Sequence, residues 1–335
     1  MKAAVLNENS KTLTIEDIPM PEPEENELLV KVMACGLCHT DLHYIDHGVR
    51  TCKKPPIVLG HEATGVVARD GRNFKEGDRV ILPPVFTCGN CKFCNTGREN
   101  LCFNMTMLGS TIDGAFAEYV KVPEKDVVAL PEEISFEEGC VIADSLSTSY
   151  HAVVNRAKVQ PQERVIVIGC GGVGTNVVRM AVLQGAEVIA CDIDNAKLEL
   201  AKEMGASMTV NPSEENVQEF LRHSGGSVDV AFEVIGKHQT IETAFKTLGK
   251  GGRLCIVGYT NENITINPAK IMFYEQEIIG SVGCPPTDFP KIIELVRDKK
   301  VNPSRIISNR FALEDINAAL DELRTGKVLR NIIVF

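Results

Sequence analysis

Four cysteines lie close together in one short segment, and their type and spacing are typical of a metal site. Cys88, Cys91 and Cys94 form two CxxC steps that share a cysteine, and Cys102 follows in the same segment. Four thiolates around one ion form the tetrahedral shell of a structural zinc site. The residues between them are rich in glycine and asparagine, so a metal rather than an apolar core would order the loop.

Other uses of four cysteines are weighed against zinc. An iron–sulfur cluster also takes four thiolates, and the sequence leaves that alternative open. Disulfide bonds form in oxidising compartments, and no signal peptide is visible at the N-terminus. The spacing therefore predicts structural zinc, and it prompts a search for a second, catalytic metal.

A second group of metal-binding side chains lies upstream. The run CGLCHTDLH ends at His43, and the run Gly60-His61-Glu62 follows it. Cys38 and His61 supply a thiolate and an imidazole, the pair that a catalytic zinc uses when one coordination position stays open. Cys35 is the competing thiol.

A glycine-rich turn predicts a dinucleotide site. An apolar strand ends at Ile168 and leads into GCGGVG, after which a helical pattern begins. In this context the turn needs Gly169, the pyrophosphate approaches Gly171, and the helix packs on the strand at Gly174. The turn also contains Gly172 and Val173.

An acidic residue after the next strand bears on the choice of cofactor. Asp192 lies about twenty residues beyond the turn, where a carboxylate can accept hydrogen bonds from both ribose hydroxyls and would repel a 2′-phosphate. No arginine follows it, so NAD(H) is predicted over NADP(H). The alternative is an ordinary α/β turn with a solvated aspartate.

The elements that would position these residues change in character along the chain. Up to about residue 145 the sequence predicts short strands separated by Pro- and Gly-rich turns, such as Leu28–Val32 and Arg79–Leu82. Beyond it, strands alternate with helices, which predicts βαβ units and a parallel sheet. The predicted elements there are Arg164–Ile168, Gly172–Gln184, Glu187–Cys191, Asn195–Met204, Val228–Glu233, His238–Leu248, Gly252–Val257 and Glu277–Ser281, with a final strand at Asn331–Phe335.

Composition limits the classes of function. The chain has 335 residues and a formal charge of −10, with 44% hydrophobic and 24% charged residues. The acidic balance argues against nucleic-acid and membrane partners, and no apolar run is long enough to cross a bilayer. Twelve cysteines without a secretion signal predict a reducing, cytoplasmic location.

Taken together, CGLCHTD, GHE, the four-cysteine segment and GCGGVG resemble, in order and spacing, the zinc-containing medium-chain alcohol dehydrogenases. The resemblance implies an α/β fold class, with a GroES-like β-rich catalytic domain and a Rossmann domain with a doubly wound parallel sheet. The implied limits are 1–146, with the metal segment at 88–102, then 147–283, and a return to the catalytic domain at 284–335. It also implies two zinc ions per chain, NAD, a small-molecule substrate and a homodimer or homotetramer.

The resemblance implies roles around the catalytic zinc. Cys38 and His61 would be ligands, and Glu62 would be an alternate ligand beside the metal. Asp41 would hold the His61 ring, Thr40 would hydrogen-bond the substrate oxygen, and His43 would pass the proton onward. His39 and His47 are expected to be loop or surface residues.

The third zinc ligand is where this chain departs from the alcohol-active members. They typically carry a cysteine at the position that Asp144 occupies here. A carboxylate has the same charge as a thiolate and is a harder ligand, so Asp144 is predicted to complete the catalytic site. Cys140, four residues earlier, is the fallback ligand.

Further cofactor contacts follow from the resemblance alone. Arg330 would pair with the pyrophosphate, and its alternative is a solvated charge before the last strand. The remaining expected contacts are Lys197 near the adenine ribose and, on the nicotinamide side, Ile235, Val257, Gly258, Ser281 and Val282.

The predicted activity is reversible hydride transfer between NAD and a secondary alcohol, a polyol or a hydroxyacyl compound. One alternative is a hydroxyacyl-CoA dehydrogenase, for which Arg50, Lys53 and Lys54 would bind the phosphates. Another is a carbonyl or enone reductase. A non-catalytic NAD(H)-binding protein is the remote alternative, because silent relatives lack the set of Cys38, Thr40 and His61.

Overall fold

A computed structural model describes residues 1–335 and divides them into two compact units. One unit comprises Met1–Ser147 and Gly283–Phe335, and the other comprises Thr148–Val282. The domain limits expected from the sequence lie within one residue of these. None of the helices combines the length and the apolar character that a membrane span requires.

The first segment of the chain forms short strands and two helices. In chain order these are β1 (Lys2–Leu6), β2 (Leu13–Asp17), β3 (Glu27–Gly36), α1 (His39–Asp46), β4 (Ile57–Val58), β5 (Glu62–Val67), β6 (Arg79–Leu82), β7 (Val85–Phe86), β8 (Thr106–Met107), β9 (Tyr119–Pro123), β10 (Val128–Ala129) and α2 (Phe136–Val141). Two turns of 3-10 helix, Cys94–Thr96 and Glu99–Leu101, lie in the four-cysteine segment.

The middle of the chain alternates strands and helices. Two π-helical segments, Ile142–Leu146 and His151–Arg156, flank α3 (Ser147–Tyr150). The elements that follow are β11 (Arg164–Ile168), α4 (Gly172–Leu183), β12 (Glu187–Cys191), α5 (Asn195–Glu203), β13 (Met208–Val210), α6 (Val217–His223), β14 (Val228–Glu233), α7 (His238–Thr247), β15 (Leu248–Ile256), α8 (Pro268–Tyr274) and β16 (Glu277–Gly280).

The last segment returns to the first unit. Its elements are α9 (Phe289–Arg297), β17 (Ile307–Phe311), α10 (Ile316–Arg324) and β18 (Arg330–Val334).

The main sheet of the first unit brings distant parts of the chain together. Six of its seven strands follow the order β10-β6-β5-β3-β18-β17, and β9 also pairs with β3. Gly36, at the end of β3, lies opposite Glu62 of β5 on one side and opposite Ile332 of β18 on the other. Because β3 is antiparallel to both neighbours, three segments meet at the same end of these strands. They are the residues after Gly36, those before Glu62 and those near Arg330.

The second unit has a six-stranded parallel sheet in the order β13-β12-β11-β14-β15-β16. Numbered within the unit, this is the order 3-2-1-4-5-6 of a doubly wound dinucleotide fold. Its central strands are almost completely buried, including Ile166, Ile189 and Phe232, because helices cover both faces of such a sheet. The predicted fold class is confirmed.

One difference from the expected elements lies at residues 248–251, and the short elements β13, α6 and α8 were not predicted. The sequence predicts a helix through Leu248 and a strand from Gly252, whereas β15 already begins at Leu248. Leu248 pairs with Val228, and the register shifts before Arg253 pairs with Val230. The glycine-rich LGKGG run lies at this register shift within the strand. The local sequence pattern alone predicts a turn there.

Candidate active site and metal centres

The four cysteines of residues 88–102 converge on one point. Their sulfur atoms all lie within 4.8 Å of one another. The Sγ atoms of Cys88 and Cys102 are 3.4 Å apart, and those of Cys91 and Cys94 are 3.6 Å apart. Tetrahedral zinc with Zn–S of about 2.3 Å sets its sulfurs about 3.8 Å apart. The group therefore fits a single ion, and the structure contains no disulfide among these cysteines.

Backbone amides prepare part of this group for metal binding. The backbone N–H groups of Cys94 and Phe103 lower the pKa of Cys91 to about 6. Burial instead raises the pKa of Cys102 to about 11, and a bound cation would favour loss of this proton. Gly97 ends the short helix with φ of 68°, a conformation that favours glycine.

We expect loss of this ion to reduce stability rather than substrate recognition. Cys91→Ser or Cys94→Ser removes one thiolate from a segment that has little apolar core. The expected result is a lower unfolding midpoint and faster proteolysis within residues 88–102, with the Michaelis constant changed less than about twofold. Cys52→Ser is the control, since Cys52 is exposed and lies outside the group. A changed Michaelis constant at unchanged stability would contradict this role.

The second group combines four different side chains. Donor atoms of Cys38, His61, Glu62 and Asp144 all lie within 4.8 Å of one another. The Oδ2 atom of Asp144 is 3.8 Å from Cys38 Sγ and 4.0 Å from His61 Nε2. A thiolate, an imidazole and carboxylates form a donor set that suits zinc. The side chains of His61 and Asp144 are 4% and 14% exposed, so a bound ion would be largely shielded from bulk water.

Local structure explains how each ligand is aimed. Cys38 is the N-cap residue of α1, two residues after the end of β3, and His61 immediately precedes β5. Asp144 lies in the π-helical segment Ile142–Leu146. A π-helical turn inserts a residue into the helical repeat and is frequent at functional sites. The π-helical turn directs Asp144 towards the other ligands. No periodic sequence pattern predicts this turn.

Asp41 and Thr40 lie beside these ligands. Asp41 Oδ2 accepts a hydrogen bond of 2.9 Å from the Cys38 backbone N–H. Asp41 Oδ1 lies 3.6 Å from His61 Nδ1, and Thr40 Oγ1 lies 3.6 Å from Cys38 Sγ. A carboxylate facing Nδ1 favours a proton there and leaves Nε2 as the metal-binding atom.

The charges around Cys38 and His61 also favour a bound cation. Burial opposes ionisation of Cys38, but the hydrogen bond with His61 and the charge of Arg330 lower its pKa. Burial also opposes protonation of His61, yet the Asp41 carboxylate and Cys38 raise its pKa well above the usual value. The negative surroundings therefore stabilise positive charge at this point, which a metal ion would supply in place of the proton.

The two competing thiols do not join the group. Cys35 is fully buried, and its sulfur contacts the Gly36 carbonyl oxygen. Cys140 is also fully buried, and its sulfur contacts the Glu137 carbonyl oxygen at 3.1 Å. Burial raises the pKa of both thiols, so neither is prepared as a thiolate ligand.

Arg330 lies in this centre, with its guanidinium buried. Its Nη1 donates to Glu62 Oε1 at 2.5 Å and to the Leu37 carbonyl oxygen at 2.8 Å. Burial opposes its charge, but Glu62 and Cys38 raise the pKa of Arg330. The alternative of a solvated charge is therefore wrong, whereas its contact with a pyrophosphate stays a prediction. The pattern GKVLRNIIVF gave no signal for the pairing with Glu62.

The other oxygen of Glu62 has no hydrogen-bond partner. Glu62 Oε2 is buried and has no hydrogen-bond partner. Buried carboxylate oxygens normally have partners, so this oxygen agrees with a cation held in the group. A side chain at Gly36 would overlap Glu62, which accounts for glycine at that position.

His43 occupies the outer face of α1. Its Nδ1 atom lies 2.9 Å from Nδ1 of His47, and both rings are partly exposed. Burial and the neighbouring His47 lower the pKa of His43. The sequence suggested His43 as a proton carrier, but its pairing with His47 was not expected.

The glycine-rich turn of the second unit has the geometry of a phosphate-binding loop. Gly169 follows β11 with φ of 97°, and Gly171 is the N-cap residue of α4. A Cβ at Gly171 would meet nothing within 4 Å, so the backbone is open to a ligand. A Cβ at Gly174 would collide with the Gly169 carbonyl oxygen. The helix N-terminus supplies N–H donors and a favourable dipole for a pyrophosphate.

Asp192 lies directly beside this loop. Its Oδ2 accepts a hydrogen bond of 2.7 Å from the Cys170 backbone N–H, and its Oδ1 accepts one of 3.0 Å from the Asp194 backbone N–H. Two amides thus orient the carboxylate at the carboxyl end of β12. Lys197 follows in α5.

The remaining expected cofactor residues lie at the same end of the parallel sheet, where its strands have their carboxyl ends. They follow the carboxyl ends of β14, β15 and β16. Ser281 Oγ is buried without a hydrogen-bond partner. This fits a hydroxyl that forms its hydrogen bond with a bound ligand. The residues at this edge are Ile235, Val257, Gly258, Ser281 and Val282.

Glu233 is a residue that sequence reasoning missed. It is fully buried, and its Oε1 accepts hydrogen bonds from the Ile235 and Gly236 backbone N–H groups and from Thr240 Oγ1. It therefore fixes the loop after β14. The signal was a carboxylate at the end of an otherwise apolar strand.

Comparison with known proteins agrees with both units. Residues 24–132 match the alcohol dehydrogenase GroES-like domain, and residues 172–298 match the zinc-binding dehydrogenase family. Both units thus match the domains of zinc-binding dehydrogenases.

Individual relatives cover almost the whole chain. A sorbitol dehydrogenase of Bacillus subtilis is 35% identical over 96% of this chain and 93% of its own length. An alcohol dehydrogenase of Geobacillus stearothermophilus is 34% identical over 100% and 99%. The solved alcohol dehydrogenase of Aeropyrum pernix is 32% identical, with a TM-score of 0.92 and coverage of 100% of both chains. The chain belongs to the zinc-containing medium-chain alcohol dehydrogenase family.

Proposed function

We propose that this protein is a zinc- and NAD-dependent dehydrogenase that transfers a hydride between NAD and an alcohol or polyol. The observation that carries the proposal is the convergence of Cys38, His61, Glu62 and Asp144. The sorbitol dehydrogenase among its relatives supports a polyol as substrate. A hydroxyl-bearing small molecule is the common chemistry of these relatives.

The chain's own residues hold and orient the reacting groups. When bound, zinc would supply Lewis-acid polarisation of the substrate oxygen. Cys38 and Asp144 provide negative ligand charge, and Asp41 holds the His61 ring so that Nε2 faces inward. Arg330 neutralises Glu62, which keeps that second carboxylate from adding an uncompensated charge.

Proton transfer is assigned to two side chains of α1. Thr40 Oγ1, 3.6 Å from Cys38 Sγ, would accept a hydrogen bond from the alcohol in the oxidative direction and would release its own hydroxyl proton towards His43 as it takes the substrate proton. His43, which is partly exposed, then passes a proton towards solvent. Its lowered pKa keeps the imidazole neutral near pH 7, as a proton acceptor requires.

The test combines turnover with metal content. NADH formation should be seen with members of a panel of secondary alcohols and polyols, and the active protein should contain two zinc ions per chain. Cys38→Ser should lose activity and one of the two zincs. The proposal would be overturned by full activity in protein that contains one zinc ion per chain. It would also be overturned if protein that contains two zinc ions per chain oxidised none of the alcohols.

Asp192 is expected to set the preference for NAD. Asp192→Asn removes the charge that repels a 2′-phosphate. We expect the ratio of kcat/KM for NAD to that for NADP to fall by about tenfold or more, since ~1.4 kcal/mol of repulsion corresponds to tenfold.

The matched control is Asp194→Asn, which removes the same charge two residues away. Asp194 caps α5 by accepting from the Ala196 backbone N–H, and asparagine caps helices equally well. An equal loss of preference in both variants would show that Asp192 is not the discriminating carboxylate.

We also infer a homodimer or homotetramer. The edge strand β16 leaves Ile278 exposed, and α8, which has no buried residue, exposes Met272 and Phe273. An open sheet edge beside exposed apolar side chains is a surface that soluble proteins normally cover.

A further inference from the structure

Two histidines at the end of α1 form a pair that lies outside the zinc ligands. His43 lies in the last turn of the helix, and His47 is its C-cap residue. Residues four apart share one face of a helix. Their Nδ1 atoms are 2.9 Å apart, and their ring centroids are 5.1 Å apart with planes inclined by 51°.

The separation of the two nitrogens is that of an N–H···N hydrogen bond, and it also allows both nitrogens to bind one ion as neighbouring ligands. Metal–imidazole bonds are about 2.0–2.1 Å long. Two ligand nitrogens with a right angle between their bonds to the metal therefore lie ~2.9 Å apart, whereas tetrahedral coordination places them ~3.4 Å apart. Right-angled coordination by nitrogen is the preference of Cu(II) and Ni(II). The C-terminal end of a helix also carries partial negative charge, which favours a cation there.

We propose that His43 and His47 form a second type of metal site, which takes a divalent ion of tetragonal preference with both Nδ1 atoms as adjacent ligands, and that its occupation inhibits the enzyme. In the metal-free pair one ring donates its Nδ1 proton to the other. On binding, that proton moves to Nε2 of the same ring, so two neutral imidazoles coordinate without net proton release. Solvent fills the remaining positions.

The inhibition rests on the proposed function, because it assigns proton transfer to His43. An imidazole whose Nδ1 lone pair is bound to a metal, and whose Nε2 carries a proton, has no free lone pair with which to accept another. Occupation of the pair therefore interrupts proton transfer without touching Cys38, His61 or Asp144. The metal binding itself does not depend on the reaction.

The experiment uses the zinc-loaded enzyme and Ni²⁺ as the probe. Equilibrium dialysis measures bound Ni²⁺ and retained zinc, and the initial rate of NADH formation is followed over the same concentrations. His47→Gln removes one ligand and leaves His43 in place. The matched control is His223→Gln, which replaces another exposed histidine, at the end of α6.

We expect the parent and His223→Gln to be inhibited at the same Ni²⁺ concentration with all zinc retained. His47→Gln should bind one Ni²⁺ fewer and, relative to its own rate without Ni²⁺, need at least ~10-fold more Ni²⁺ for the same fractional inhibition, as the loss of about 1.4 kcal/mol of binding would give. Equal Ni²⁺ binding by His47→Gln, or zinc release in step with inhibition, would overturn the site. If no alcohol is oxidised, the dialysis result still decides the metal site. Binding without inhibition would overturn the regulatory part alone.

Discussion

Asp144→Ala is expected to remove the catalytic zinc and to lower kcat/KM by at least about 100-fold. Lewis-acid polarisation contributes several kcal/mol to transition-state stabilisation, and each ~1.4 kcal/mol is a factor of ten in rate. Asp144 Oδ2 lies within 4.0 Å of both Cys38 Sγ and His61 Nε2, so its loss opens the donor group. Metal content should fall from two zincs to one.

Two further substitutions, one at Asp144 and one at an exposed carboxylate, separate ligand loss from a structural defect. Asp144→Cys supplies the thiolate that alcohol-active relatives typically use, so it should keep two zincs and much of the activity. Asp321→Ala removes an exposed carboxylate that pairs only with Arg324, and it should leave both quantities unchanged.

The fallback ligand is tested in the same measurement. Cys140→Ala should retain two zincs, because the Cys140 sulfur faces the Glu137 carbonyl oxygen. If Asp144→Ala kept both zincs and full activity while Cys140→Ala lost one, the assignment of Asp144 would be wrong.

Arg330→Met is expected to destabilise the first unit by about 3–5 kcal/mol, the cost of leaving a buried charge without its partner. Glu62 is 0% exposed and Arg330 is 4% exposed, and their contact is 2.5 Å. Removal of the guanidinium leaves the Glu62 carboxylate next to Cys38 and Asp144 with no cation from the protein.

A double-mutant cycle isolates this pair. Arg330→Met combined with Glu62→Gln should recover part of the loss, because the uncompensated charge is gone. Arg310→Met is the control, since Arg310 pairs with Glu137 at a partly exposed site, where an ion pair contributes about 0–1 kcal/mol. Unfolding midpoints in urea provide the comparison, and additive losses at the two positions would show that they do not interact.

Short motifs predicted much of the site because they carry their own geometry. The four cysteines of residues 88–102 are close in sequence, so their meeting needs little long-range information. The glycine-rich turn similarly predicted a strand, a turn and a helix N-terminus, and β11 and α4 begin at the predicted residues.

The features that sequence did not predict depend on contacts between distant segments. Arg330 meets Glu62 because β18 and β5 both pair with β3, and no local pattern contains that information. The π-helical turn at Asp144 is a one-residue irregularity inside a buried helix. The close approach of His43 and His47 depends on side-chain rotamers, which spacing alone does not determine.

The interrupted first unit has a consequence for the order of assembly during translation. All four cysteines of residues 88–102 have been made before residue 147, whereas β18, which brings Arg330 to Glu62, follows the whole of Thr148–Val282. At roughly 5–20 residues per second, about ten seconds or more pass between the two events. The structural ion can thus be loaded on the nascent chain, while the catalytic centre reaches its final charge balance only after the nucleotide-binding unit has been synthesised.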